Sequence, residues 1–109
     1  MNMTDFNDRK RGEEAKYAFD EENAFRLAAR RNRLLGQWAA ERMNLTPEET
    51  DSYAKAVVQA DFEEAGDADV VRKVLGDLAA AGHDMDEAGV RAALADCDAE
   101  ARRQLASQG

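Results

Sequence analysis

The sequence predicts an all-α protein, a compact four-helix bundle with a mobile or frayed N-terminal segment extending helix 1. Three observations carry that prediction. The chain holds a single proline, Pro47, and its sparse strand-forming residues never alternate with polar ones over a useful length. Apolar residues instead recur at i, i+3 or i+4, and i+7 in four stretches. Each stretch after the first opens near a residue suited to capping a helix: Thr46, Asp67 and Asp84. The division that follows is an N-terminal arm at residues 1–19 and a four-helix domain at 20–109, with helices at about 20–43, 47–65, 68–81 and 85–107.

Residues 1–19 are poorly committed to any structure of their own. Arg9, Lys10, Arg11 and Lys16 balance Asp5, Asp8, Glu13 and Glu14, and the aromatics Phe6, Tyr17 and Phe19 are scattered among polar neighbours. Gly12 in the middle costs a helix roughly 1 kcal/mol relative to alanine. Isolated helices of this length are marginal in water, so the segment is expected to order on a partner.

From Asp20 to about Met43 the pattern turns helical, with Ala24, Leu27, Ala28, Leu34, Leu35, Trp38 and Ala39 in one broad stripe. Asp20, Glu21 and Glu22 are placed to open this helix and complement its positive end. Arg31 interrupts the stripe, which requires its stem to be packed and its charge paired. Thr46-Pro47-Glu48-Glu49 then starts helix 2: Thr46 caps, Pro47 takes the first helical position, and Glu49 returns a capping-box bond. Tyr53, Ala54, Val57, Val58 and Ala65 line its inner face with Phe62 at the margin, and Gly66 is placed to end it. Asp61 falls inside that face and is the expected partner of Arg31 between the two helices. After Asp67 as cap, Val70, Val71, Val74, Leu75 and Leu78 define helix 3, closed by Gly82. Asp84 with Glu87 gives another capping pattern, followed by Val90, Leu94, Cys97, Ala101 and Leu105 on one face of helix 4.

At 109 residues the chain is the size of one ordinary domain. Its 35% charged residues are offset by 44% apolar ones, too many for a wholly disordered protein. The net charge of -8 argues against nucleic acid as a partner. That acidity belongs to residues 46–109, leaving the N-terminal part to meet a different kind of surface. No run of about eighteen apolar residues exists and no secretory signal opens the chain, so the protein is expected in the cytoplasm and not embedded in a membrane. Cys97 is the single cysteine, which excludes an internal disulfide and suits a reducing compartment.

The same residues offer little chemistry. His83, between Gly82 and Asp84, reads as a solvated turn residue, and Cys97 as a buried, inert thiol. Asp84, Asp86 and Glu87 lack the twelve-residue calcium loop, and Asp61-Phe62-Glu63-Glu64 has no second ligand cluster. There is no phosphate-binding glycine loop and no nucleophile with a visible base. The expectation is therefore no catalytic residue, no metal and no required cofactor. Two basic clusters remain, Arg9-Lys10-Arg11 and Arg30-Arg31-Arg33. The first stands beside Phe6, so it joins charge for steering to an aromatic for anchoring.

The run Arg30-Arg31-Asn32-Arg33-Leu34-Leu35-Gly36-Gln37-Trp38-Ala39-Ala40-Glu41 resembles the signature of the zeta subunit family of alphaproteobacterial F-type ATP synthases. Glu14-Ala15-Lys16-Tyr17, Tyr53-Ala54-Lys55, the stretch from Asp61 to Asp67, and Asp69-Val70-Val71-Arg72-Lys73-Val74 agree in order and spacing. The resemblance covers nearly the whole chain. It implies a four-helix fold and inhibition of ATP hydrolysis by an N-terminal segment that enters the catalytic head at an interface of alpha and beta subunits near the gamma rotor. Carried onto this sequence, the inhibitory segment runs from Thr4 to about Phe19. Phe6, Asp8, Arg9, Lys10 and Lys16 are the expected contacts, and Thr4, Tyr17 and Phe19 complete the binding segment. Arg31, Trp38 and Asp61 are expected to be structural.

The resemblance also implies weak adenine nucleotide binding, with no site assigned, and a location peripheral to the inner membrane through the ATP synthase. Gly12-Glu13 and Phe19 depart from the family's pattern, where helix-forming residues and a histidine are common. The alternative function is that of an acidic helical adaptor or assembly factor that binds another partner through the bundle surface.

Overall fold

The computed structural model describes the backbone of residues 3–61 and 67–108 and the side chains of residues 21–61 and 67–107. Its described residues form four helices and no strand: α1 (Met3–Arg42), α2 (Pro47–Ala60), α3 (Ala68–Ala80) and α4 (Glu87–Gln108). The all-α, four-helix expectation holds. Helix α1 covers 40 residues, the N-terminal segment extending helix 1 as expected. Glu22, expected at a helix start, instead forms an i,i+4 pair with Arg26 at 2.8 Å on the helix surface.

Local chemistry explains most of the helix ends. At the end of α1, Asn44 takes φ 59°, its N–H donates to Glu41 O at 3.2 Å, and Leu45 N–H donates to Ala40 O at 3.0 Å. Asparagine tolerates this left-handed position, so the last carbonyls of α1 are satisfied by a Schellman turn. The same device ends α3, where Gly82 adopts φ 82° and His83 N–H donates to Leu78 O at 2.9 Å. Helix α2 starts on a complete capping box. Glu49 N–H donates to Thr46 Oγ1 at 3.2 Å and Thr46 N–H donates to Glu49 Oε1 at 2.8 Å. Hydrogen bonding to the carboxylate by the Thr46 backbone first, and then by its side chain, holds Glu49 below its ordinary pKa.

Three expected roles are corrected. Helix α2 ends at Ala60, with Asp61 capping it just beyond, and not at residue 65; Phe62, Ala65 and Gly66 lie outside the described residues. Helix α4 is capped by Asp86, whose Oδ1 accepts from Gly89 N–H at 2.8 Å; Asp84 stands two residues too early for that bond. Asp67 precedes α3 but makes no side-chain cap. Its carboxylate pairs with Arg31 at 3.0 Å, and this pair replaces the expected one between Arg31 and Asp61.

The core gathers Leu35 and Ala39 of α1, Val57 of α2, Val70, Val71, Val74 and Leu78 of α3, and Val90 and Leu94 of α4. On α1 the buried face is turned from the expected stripe: Ala24 is exposed, whereas Asn32, Gly36 and Ala40 are buried. Gly36 explains the turn. A Cβ there would stand 2.7 Å from Ala54 Cα, closer than real Cβ contacts permit, so glycine lets the α1 and α2 backbones touch. Tyr53 of α2 ties to α3 by donating its hydroxyl to Asp77 Oδ2 at 2.8 Å, and Lys73 donates to the same oxygen at 3.1 Å. Burial and that bond push the Tyr53 phenol well above its ordinary pKa.

Helix α1 sets the proportions of the molecule. Forty residues rise about 60 Å, against a longest dimension of 65 Å. The helices that pack on it have 14, 13 and 22 residues, so none is long enough to cover it. Its buried positions begin at Asn32 among the described residues.

Candidate functional site

The residues expected to meet a partner all lie on the first half of α1. Thr4, Phe6, Asp8, Arg9, Lys10, Lys16, Tyr17 and Phe19 stand on continuous helical backbone, and their side chains lie outside the described residues. On a helix of 3.6 residues per turn, positions 6, 10 and 17 fall in one register and positions 9 and 16 in another. Phe6, Lys10 and Tyr17 thus share one line of the helix, and Arg9 and Lys16 a neighbouring one. The segment continues into the helix that enters the bundle, so a force on its tip is passed along the backbone to whatever holds the other end.

That other end is firmly held. Leu35, Ala39 and Ala40 are fully buried, and Gly36 sits against Ala54 and Val57. Arg30 Nη1 donates to Gln104 Oε1 of α4 at 3.3 Å, and Arg31 binds Asp67 ahead of α3. Each of the three other helices or their approaches therefore grips the segment of α1 between Arg30 and Ala40. Trp38, expected to be structural, packs against the core. The Arg42 guanidinium lies 4.2 Å from its ring centroid, and Arg42 Nη1 donates to Trp38 O at 3.1 Å. Asp61 is half-buried at the end of α2.

The side chains with the best claim to reactivity are quiet. Burial first, then the charge of Asp96, pushes the Cys97 thiol up to about 11, with Arg31 opposing; a thiol so placed is a poor nucleophile at neutral pH. His83 is half-buried, not a fully solvated turn residue, with Nδ1 enclosed and without a hydrogen-bond partner among the described residues. Among the described residues no group of three His, Cys, Asp or Glu side chains is placed to hold a metal ion. Among the described residues no helix is long and apolar enough to cross a membrane.

Several structural positions escaped the sequence reading. Gly36 looks like an ordinary helix-interior residue until the opposite backbone of Ala54 is seen. Asn32 appears polar and is fully buried, with its Oδ1 accepting from Arg31 Nε at 3.1 Å. A polar residue flanked by three arginines gives no periodic signal of burial.

The comparisons agree with this architecture. The family model described as ATPase inhibitor subunit zeta matches residues 3–104. A structure determined by solution NMR is 47% identical to this chain and superposes with a TM-score of 0.68, covering 78% of this chain and 96% of its own. A search of the curated proteins found no match.

Proposed function

The chain belongs to the ATPase inhibitor subunit zeta family, and from that premise we propose that it blocks ATP hydrolysis by an F-type ATP synthase through insertion of its N-terminal helix into the catalytic head. Members of this family are inhibitors and not enzymes. The segment from Thr4 to about Phe19 enters at an interface of alpha and beta subunits near the gamma rotor, and the bundle stays outside.

The observation that carries this reading is the 40-residue length of α1, which outruns every helix packed on it. A helix of residues 4–19 is about 24 Å long, enough to reach from the surface of a subunit interface toward its interior. Phe6 supplies an apolar anchor, while Arg9, Lys10 and Lys16 pair with acidic groups along the cleft. A wedge of this kind performs no chemistry and needs no cofactor. Rotation in the hydrolytic direction draws the wedge in, and rotation in the synthetic direction expels it, so the block acts on hydrolysis. Binding to the synthase places the protein at the cytoplasmic side of the inner membrane.

An ATPase titration of the purified cognate catalytic head tests partner, activity and segment together. The intact protein is expected to inhibit, and a form lacking residues 2–19 is expected to fold and not to inhibit. Equal inhibition by both forms would sink the insertion mechanism.

A further inference from the structure

A groove of about 1080 Å³ runs between α1, α2 and the C-terminal end of α4. Its floor is apolar, formed by Leu34, Val58 and Leu105, and Phe25 stands in its wall. Phe25 is 57% exposed, the one large hydrophobic side chain so exposed among the described residues. The rim is basic: Arg26, Arg30, Arg33 and Lys55 face Asp51 as the single acid of the lining. In a chain of net charge -8, this is a local inversion of sign.

The dimensions and solvation favour a protein segment as occupant. At about 1080 Å³ the volume lies at the upper limit of the range of about 300–1,000 Å³ usual for small-molecule pockets. Along α1 the lining extends from Phe25 to Gln37, a rise of about 18 Å, or some three turns of a facing helix. Arg26 and Arg33 are more than half exposed and pair with equally exposed surface acids, Glu22 at 2.8 Å and Asp51 at 4.0 Å. Such solvated cations exchange surface partners at little cost, and they steer and orient an incoming acidic surface. The exposed ring and apolar floor then provide the area that charge alone does not.

We propose that this groove docks an acidic amphipathic segment of the partner ATPase, with its apolar side on Phe25, Leu34, Val58 and Leu105 and its carboxylates on Arg26, Arg33 and Lys55. The source of the segment rests on the function proposed above; the groove's chemistry does not. Phe25 lies just beyond the end of the inhibitory segment on the same helix, so the two contacts are continuous along α1. The bundle thereby acts as an anchor that raises the local concentration of the wedge at the mouth of its cleft.

The test is ATPase inhibition and direct binding to the purified head, using full-length protein. Arg26→Glu with Lys55→Glu reverses the rim, Phe25→Ala removes the exposed ring, and Arg72→Glu with Arg91→Glu makes the same net-charge change away from the groove. The rim pair is expected to raise the half-inhibitory concentration by about tenfold or more, with unchanged melting and unchanged maximal inhibition. Phe25→Ala is expected to weaken binding severalfold, and the control pair to stay within about twofold of wild type. A rim variant as potent as wild type, or a control pair that loses as much, overturns the groove as a docking site. Wild-type protein that neither binds nor inhibits the head overturns the parent reading instead, and the groove's assigned partner with it.

Discussion

Arg31 of α1 and Asp67 ahead of α3 form an ion pair at 3.0 Å in which the arginine side chain is 12% exposed and the aspartate 47%. The same guanidinium donates from Nε to Asn32 Oδ1 at 3.1 Å. Asp67 still contributes its carbonyl to the first turn of α3, accepting from Val71 N–H at 3.0 Å. Its carboxylate, which the local sequence suits to capping, goes to a long-range partner instead.

This pair predicts a coupled response. Arg31→Ala removes a packed stem as well as a charge and is expected to cost about 1–3 kcal/mol in urea denaturation. Asp67→Ala leaves the largely buried Arg31 guanidinium without its counter-ion and is expected to cost about 1–3 kcal/mol as well. The double variant should be less damaging than the sum of the singles by about 0.5–1 kcal/mol. Additive losses would show that the contact contributes nothing of its own. Inhibition at saturating protein should survive Arg31→Ala, because the residue belongs to the bundle.

Gly36→Ala sets two effects against each other. Helix propensity alone favours alanine by about 1 kcal/mol. The new Cβ, however, would meet Ala54 Cα at 2.7 Å and both Ala54 Cβ and Val57 Cγ2 at 3.3 Å. Backbone cannot step aside as a side-chain tip can, so α1 and α2 must separate, at a cost of about 1–3 kcal/mol. A lowered melting temperature is expected; a raised one would mean that the two helices are free to move apart.

Alkaline pH should loosen the fold in part through Cys97. Its folded pKa is raised to about 11 from the ordinary 9.0. Below pH 9 both folded and unfolded thiols hold their proton and nothing changes. Between about pH 9 and 11 the unfolded thiol gives up its proton while the folded one keeps it, so stability falls as pH rises. With the thiol half-exposed, the loss is discounted to about 1 kcal/mol. The raised Tyr53 phenol acts in the same direction at higher pH. The difference between wild-type and Cys97→Ala unfolding curves isolates the thiol: a parallel pair of pH profiles would rule it out.

Much of the fold was legible because it is written in local rules. The capping box at Thr46 and Glu49 and the valine stripe of α3 need only neighbours within a turn. The signature run from Arg30 to Glu41 carried the family, which the match over residues 3–104 then established. The errors fall where a local signal had a distant competitor. Asp67 has the residue type of a cap and the geometry of an ion pair. Asp84 and Asp86 both suit a cap, and only the placement of α4 chose between them. Asp61 lies on the helical pattern of α2, but the helix ends before it.

For the candidate site the division is sharper. Periodicity, charge and turn chemistry within the sequence determined that there are four helices and that the first nineteen residues differ from the rest in pattern and charge balance. Tertiary structure alone decided that the buried face of α1 is centred on Asn32, Gly36 and Ala40, and that four basic side chains from two helices share one groove. The reason is physical. Helical pattern and capping act over three or four residues, whereas backbone contact, ion pairing and the gathering of like charges depend on which distant surfaces are brought together when the chain folds.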